Sequence, residues 1–596
     1  MKRVICNPLN IEYRYQFNQD PRTQARSVNR EAADPSLIMF QGKYYLFASM
    51  TLGVWVSEDL AHWSFHALPD ELPLYDYAPD VRVVGEYVYF SASKREKICH
   101  FYRTKDVLRG PYEKIQGTFP FWDPNLFQDE DGRVYFYWGC SSETPIYGIE
   151  LDRETFLPIG EKKELIHGDP WNRGYERAGE DHCLAPRTEK EIDEAVQVFF
   201  ATQGMEASQV PAEVIPMVRG MFSQKPFIEG AWMTKYQGKY YLQYACPGTE
   251  YNTYADGVYV GAHPLGPFHP AKNNPYSYHP GGFMPGAGHG STLQDRDGNW
   301  WHTSTMRISV HHPFERRIGL WPAGFDKDGE LFCNQRYGDW PIVWDAGKSD
   351  PWKLPEWFLL SFGKTATASS STAGHEPTLA LDENAKTWWQ AEHEKGEWLC
   401  LDLGSVFQVS VIQINFADDA IDRLPAGDYH TTDTPRFIEN QPLCTQWRLE
   451  CSADGKTYDL VCDKSAAETD LSHDLVVLDQ PISARYLRLT VLSVPYQQKP
   501  CISGFRVFGK GNGTKPQAPT FTVERRSDFA FHAKIHSADA IGWNILWGSS
   551  SDKLYHSYMT FQPERTVSAL VKEEAYYVRV DAFNENGITE GPCIKL

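Results

Sequence analysis

Four acids and a histidine recur at matching places in a run of aromatic hairpins. Asp34 opens a strand in ADPSLIMF, Asp80 in YAPDVRVV and Asp123 in WDPNLFQDEDG; Glu229 takes that place in FIEGAWMTKYQG and His289 in GHGSTLQDRDG. Carboxyl groups brought to one place raise one another's pKa. A carboxylate that activates water, beside a carboxylic acid that protonates a leaving oxygen, is what hydrolysis of a glycosidic bond requires. Taken singly, each residue has a plainer reading: Asp before Pro forms turns, a lone Glu before Gly is solvated, a lone His is structural. Recurrence at equivalent positions is what selects them. Asp129, Asp131, Asp295 and Asp297 lie in the turns themselves and are assigned to turn formation. The sequence holds no nucleophile elbow, zinc-protease helix or phosphate-binding loop.

The elements that must position these groups are β-hairpins. QGKYYLFAS, VGEYVYFSAS, EDGRVYFYWG, QGKYYLQYA and RDGNWWHTS each place Gly in a tight turn, then a run of strand-forming aromatics. Such a repeat, with almost no helical periodicity, predicts a β-propeller, in which the first strand of every blade starts at one mouth of the central channel. Residues 165–220 form a long insertion, with one short helix expected in RTEKEIDEAVQVFF, and should cover one face. Beyond DWPIVWDAGKSDPWKLPEW the texture changes to short alternating strands, a β-sandwich; GKGNGTKPQAP is a linker, and the last residues read as a smaller sandwich. The expected domains are 1–350, 351–510 and 516–596. The Pro- and Trp-rich connection predicts that the second domain braces the first, with at least one of Trp388 and Trp389 in its core.

Bulk properties narrow the function. With 58 Lys+Arg against 78 Asp+Glu the net charge is −20, which excludes nucleic acid and anionic membrane surfaces as partners. No apolar run is long enough to span a bilayer. The N-terminus lacks the apolar core of a signal peptide, so a cytoplasmic location is expected. Twelve Cys are scattered without CxxC pairs and read as free thiols. Oligomeric state is not encoded in any pattern found.

Residues 1–345 resemble glycoside hydrolase family 43, a family of five-bladed propellers. The resemblance rests on the DPS opening strand with Asp34, the DP-x-x-F-x-D-x-DG segment with Asp123, the EG-x-W segment with Glu229 and SEDLAHW from Ser57. It implies that Asp34 is the general base, Glu229 the general acid and Asp123 the group that raises the acid's pKa and orients it. It further implies a sugar pocket with Tyr77 (Trp in many relatives), Asp80, Trp122, His289 and Arg316 or Arg317. His289 would also stand beside a calcium ion ligated otherwise by water, and no organic cofactor is implied. The second domain resembles the discoidin, or coagulation-factor type C, fold through LDENAKTWWQA and ARYLRLTV; Gly504 and Arg506 replace acids that often hold its calcium. The third resembles fibronectin type III through YYVRVDAFNENG. The whole predicts an all-β, inverting, exo-acting hydrolase of terminal α-L-arabinofuranosyl or β-D-xylosyl residues on plant-type oligosaccharides. The alternatives are galactofuranose or galactose as the sugar, or an inactive glycan-binding protein.

Overall fold

The computed structural model describes all residues except 1, 21–22, 70, 73–76, 94–97, 116–117, 205–213, 428–435 and 538, and the side chains of 216 and 217. The chain is all-β, with 47% strand and 6% helix. Among the described residues the first part is built from five consecutive antiparallel meanders. Their first strands are Ser36–Phe40, Tyr77–Val84, Asn125–Gln128, Glu229–Tyr236 and Gly288–Gln294, and each leads outward through three further strands. The turns behave as their composition requires. In both QGK turns the two central residues have positive φ, 48° and 79° at Gln41–Gly42 and 48° and 76° at Gln237–Gly238. These are type I′ hairpins, whose twist matches that of the strands.

Neighbouring first strands pack in a closed cycle, first to second through to fifth and back to first. A belt of side chains stitches them. Ser36 Oγ accepts from Val81 N (3.0 Å), Asp80 Oδ2 from Leu126 N (2.6 Å), Asn125 Oδ1 from Met233 N (2.9 Å) and Ser291 Oγ from Leu37 N (3.0 Å). Each bond satisfies an amide that the meander leaves unpaired on its inner edge. Before the first meander, Arg3–Ile5 pairs with Ile342–Trp344 and ties the two ends of this part together.

The insertion carries the expected helix as Glu189–Thr202, started by a capping box between Thr188 and Glu191. Its other end reaches the C-terminal sandwich: Gly174 N donates to Leu570 O, and Asp181 pairs with Arg565 at 2.6 Å. Residues 358–510 form one sheet system around two long bent strands, Glu397–Phe416 and His473–Ser493. Trp389 is fully buried in its core, while Trp388 is half-buried and stacks on His375. The last sandwich has three strands in one sheet and four in the other. All twelve cysteines are free thiols, and no helix among the described residues is long and apolar enough to cross a membrane.

The first and second parts are joined by buried charge as well as apolar surface. Arg30 bonds Asp418 (2.8 Å) and Asp470 (3.1 Å), and Arg506 bonds Glu383 (2.8 Å) and the carbonyl of Asp339 (2.6 Å). Residues Arg436–Ile438 of the second part even add a strand to Tyr15–Gln19 of the first. Buried pairs of this kind are strongly destabilising when one partner is taken away. At one of the two positions where the resembled fold often has an acid, Arg506 places its guanidinium on Glu383.

Candidate active site

At the start of every first strand one residue adopts the left-handed conformation. These are Asp34, Ala78, Asp123, Gly230 and His289, with φ of 52°, 54°, 53°, 61° and 51°. For a non-glycine residue this costs roughly 1–3 kcal/mol and marks sites whose surroundings impose the conformation. Here the amide N–H at that position is caught from the preceding meander. Asp34 N donates to Thr305 Oγ1 (2.9 Å), Ala78 N to Ser49 Oγ (2.8 Å), Asp123 N to Ser93 Oγ (2.9 Å) and His289 N to Asp256 Oδ1 (2.7 Å). The kink turns Asp34, Asp123 and His289 toward one another. At Gly230 a Cβ would lie 2.7 Å from His289 Cγ, so only glycine fits after Glu229.

This equivalence corrects the alignment expected from sequence at two of the five meanders. Ala78, not Asp80, occupies the position of Asp34, and Gly230 does so in the fourth, with Glu229 one residue before it. Asp80 belongs to the stitching belt: its carboxylate accepts from Leu126 N and from Asn125 Nδ2 (2.9 Å), and it is not one of the converging groups. Burial raises its pKa to about 6.

The converging groups have opposed electrostatics. Asp34 is 5% exposed. Burial alone would raise its pKa, but Arg316, His289 and a 2.5 Å hydrogen bond from Ser49 Oγ together hold it below the ordinary value. Arg316 Nη1 donates to its Oδ1 at 3.3 Å, and His289 Nδ1 lies 3.4 Å from the same oxygen. Among the described residues the cation that faces Asp123 is His289, 3.8 Å away. Burial, with the charges of Glu229 and Asp34 added, pushes it up to about 8 against the opposing pull of His289 and the Gly230 N–H. Glu229 accepts from Tyr254 Oη on one oxygen and from Cys140 Sγ (3.0 Å) on the other. Its carboxylate, that of Asp123 and the Cys140 thiol lie within 4.8 Å of one another. The site thus has one carboxylate held ionised, Asp34, and one carboxyl that keeps its proton near neutrality, Asp123, placed beside Glu229, an arrangement suited to general acid–base catalysis.

The remaining expected residues are placed as follows. Arg316, not Arg317, faces the acids; Arg317 turns away to donate to His473 Nε2 (2.8 Å). Tyr77 is half-buried, with its ring 5.5 Å from the Arg316 guanidinium and 5.9 Å from Phe314. Trp122 is half-buried beside Asp123, and its carbonyl accepts from Gly139 N. Glu31, Ser49, Cys140 and Tyr254 were not singled out by sequence, because nothing local marks them. A cavity of about 320 Å³ lined by Trp300, Trp344 and Trp352 lies apart and brings none of these groups together.

Calcium prefers six to eight oxygen ligands. The His289 ring instead sets Nδ1 between two carboxylates. Burial would lower its pKa, yet Asp34, Asp123, Glu229 and Asp256 raise it. The compact donor cluster, Asp123–Cys140–Glu229, includes a thiol that burial keeps well above its ordinary pKa, a poor ligand. Among the described residues the compact donor cluster offers two carboxylates and a thiol, so a calcium ion beside His289 would draw most of its ligands from water.

Comparison with known proteins agrees with this chemistry. Residues 27–179 and 195–331 match the model of glycosyl hydrolases family 43. This part of the chain belongs to glycoside hydrolase family 43. Residues 379–489 match the NedA-like, galactose-binding domain model, a discoidin-like domain. The chain is similar to xylosidase/arabinosidase 43A of Humicola insolens, 27% identical over 345 residues that cover 51% of this chain and 97% of that enzyme. It is also similar to a β-xylosidase of Xylanibacter ruminicola, 26% identical over 275 residues, 40% of this chain and 77% of that one. Among solved structures, the xylan β-1,4-xylosidase of Bacillus halodurans aligns over 98% of this chain and 96% of its own at 13% identity, with a TM-score of 0.40. The protein is a glycoside hydrolase, an enzyme that acts on oligosaccharides.

Proposed function

We propose that the enzyme releases terminal β-D-xylosyl or α-L-arabinofuranosyl residues from oligosaccharides by direct displacement with inversion. Asp34 is the base that takes a proton from water, and Glu229 is the acid that protonates the leaving oxygen. Asp123 holds the proton close to Glu229, and Arg316, Tyr77, Trp122 and His289 line the sugar site. The observation that carries this reading is the contrast between Asp34, held ionised by Arg316, His289 and Ser49, and Asp123, whose raised pKa keeps a proton within 4.8 Å of the Glu229 carboxyl. The named activities of the two curated relatives support the choice of pentose. The five meanders, with first strands in a closed cycle, are read as the blades of a five-bladed propeller over residues 1–350. Residues 351–510 are the discoidin-like domain, and 516–596 a fibronectin type III-like domain.

A panel of nitrophenyl β-D-xyloside, α-L-arabinofuranoside, β-D-galactofuranoside and β-D-galactoside tests the substrate. Turnover of one or both pentosides is expected; turnover confined to the galactosides would replace the sugar and leave the mechanism. A lack of activity on all four would favour a glycan-binding protein.

The second domain is read as a brace. Truncation after Asp345 would strip Arg30 of Asp418 and Asp470 and leave its guanidinium without either carboxylate. Insoluble or inactive protein is expected. A soluble fragment with unchanged Tm and unchanged activity on small substrates would assign the domain to glycan targeting instead.

A further inference from the structure

The discoidin-like domain reaches the active site through one side chain. Arg436 opens the strand Arg436–Ile438, whose register against Tyr15–Gln19 sets it opposite Asn18. Its Nε donates to Asn18 Oδ1 at 2.7 Å, and its Nη1 lies 3.2 Å from Glu31 Oε2. Glu31, 0% exposed, offers its other oxygen to Arg316 Nη2 at 2.7 Å. Arg316 Nη1 in turn donates to Asp34 Oδ1 at 3.3 Å. Four buried charges alternate in sign along one line, and the line begins in a different domain from the one in which it ends.

We propose that Arg436 is a positioning residue for the water-activating carboxylate: its positive charge, 3.2 Å from one oxygen of Glu31 in an ion pair without hydrogen-bond geometry, steadies Glu31, so that Glu31 fixes Arg316 and Arg316 fixes Asp34. The proposal rests on the reading of Asp34 as the base. At 3% exposure Arg436 is not a surface on which a sugar can rest, and its guanidinium covers the Tyr77 ring from 5.2 Å. Without Arg436, buried Glu31 keeps a single cationic partner in this line, and an under-compensated buried carboxylate pulls that partner hard. The Arg316–Asp34 contact at 3.3 Å is longer than the Arg316–Glu31 contact at 2.7 Å, so it is the one that yields. A base displaced by a fraction of an ångström loses rate without losing affinity for the sugar. Lysine can restore the charge but not the fork that serves Asn18 and Glu31 together.

The test uses the full chain and the nitrophenyl pentoside that it turns over best. For Arg436→Met, kcat is expected to fall about tenfold to a hundredfold with KM little changed. Azide needs no deprotonation to attack, so it should recover most of the lost rate. Adding Glu31→Gln to Arg436→Met should raise kcat above that of the single variant, because a neutral amide no longer draws Arg316 away. Arg436→Lys should fall between wild type and Arg436→Met. Three results would each overturn the relay: an unchanged kcat, a rise in KM without azide rescue, or a double variant no faster than Arg436→Met. If Arg436→Met does not fold, Arg436→Lys and the charge-balanced double variant decide by the same readouts. Asp34→Ala is measured in parallel. Should it retain activity, the assignment of the base fails; should it be inactive and azide-rescued while Arg436→Met matches wild type, only the relay fails.

Discussion

Glu229→Ala should abolish hydrolysis of unactivated oligosaccharides while leaving turnover of a dinitrophenyl pentoside within about tenfold of wild type. The reason lies in what each leaving group needs. A sugar alkoxide is too basic to depart unprotonated, so loss of the acid removes the roughly 10²- to 10⁴-fold contribution of general acid catalysis. A dinitrophenolate is stable without a proton and escapes most of that loss. The geometry names Glu229 rather than Asp123 for this task. Gly230 leaves no Cβ against His289, which lets the preceding side chain reach the site, where Tyr254 and Cys140 orient both of its oxygens. Competition assays across leaving groups of graded pKa provide the measurement. A loss equal for both substrate types, with unchanged Tm, would move the acid role elsewhere.

The same pair gives the activity a pH dependence. The Asp123 pKa, pushed up to about 8 by burial and by its neighbours' charges, means that the Asp123 carboxyl keeps its proton at neutrality and loses it as the pH rises through about 8, which adds a negative charge beside the acid. The new charge beside Glu229 alters the field in which that residue delivers its proton, and activity is expected to change across this range. The native state holds a proton that the unfolded chain has lost above its ordinary carboxyl pKa, so this group's contribution to stability declines between about pH 4 and pH 8.

Much of this site could be read from the sequence, and the parts that could not share a cause. Asp34, Asp123, Glu229 and His289 announce themselves because a propeller repeats its hairpins, and a turn followed by aromatics marks each strand start. Asp80 misled because the residue that enters the site sits in a left-handed kink followed by a register shift. In YAPD that residue is Ala78, and the acid two positions later faces the neighbouring meander. A count of positions from the turn cannot detect a bulge. Tyr254 and Cys140 meet Glu229 across 25 and 89 residues of chain, and Arg436 arrives from a separate domain. Their roles come from tertiary packing and leave no periodic trace. The burial of Trp389 could be foreseen, since a Trp after a turn in a sandwich has few places to go but inward.

Asp34→Ala is expected to lower kcat by about three to four orders of magnitude on every substrate, activated or not, at near-constant KM. Nucleophilic attack by water is needed whatever the leaving group, so this variant should lack the leaving-group dependence that distinguishes Glu229→Ala. The electrostatics make the role specific. Arg316, His289 and the short bond from Ser49 keep Asp34 ionised although it is buried, and these same contacts fix where its free lone pair points. In direct displacement the water lies on the face of the sugar opposite the leaving group, so the first product seen by proton NMR must have the inverted anomeric configuration. Azide should restore turnover in Asp34→Ala and yield a glycosyl azide of inverted configuration, since an anionic nucleophile needs no base. A retained first product, or a glycosyl group trapped on the protein, would instead make one of these carboxylates the nucleophile of a double displacement. That result would reassign Asp34 from base to bond-forming group, and the contacts that hold it ionised would serve that role equally well.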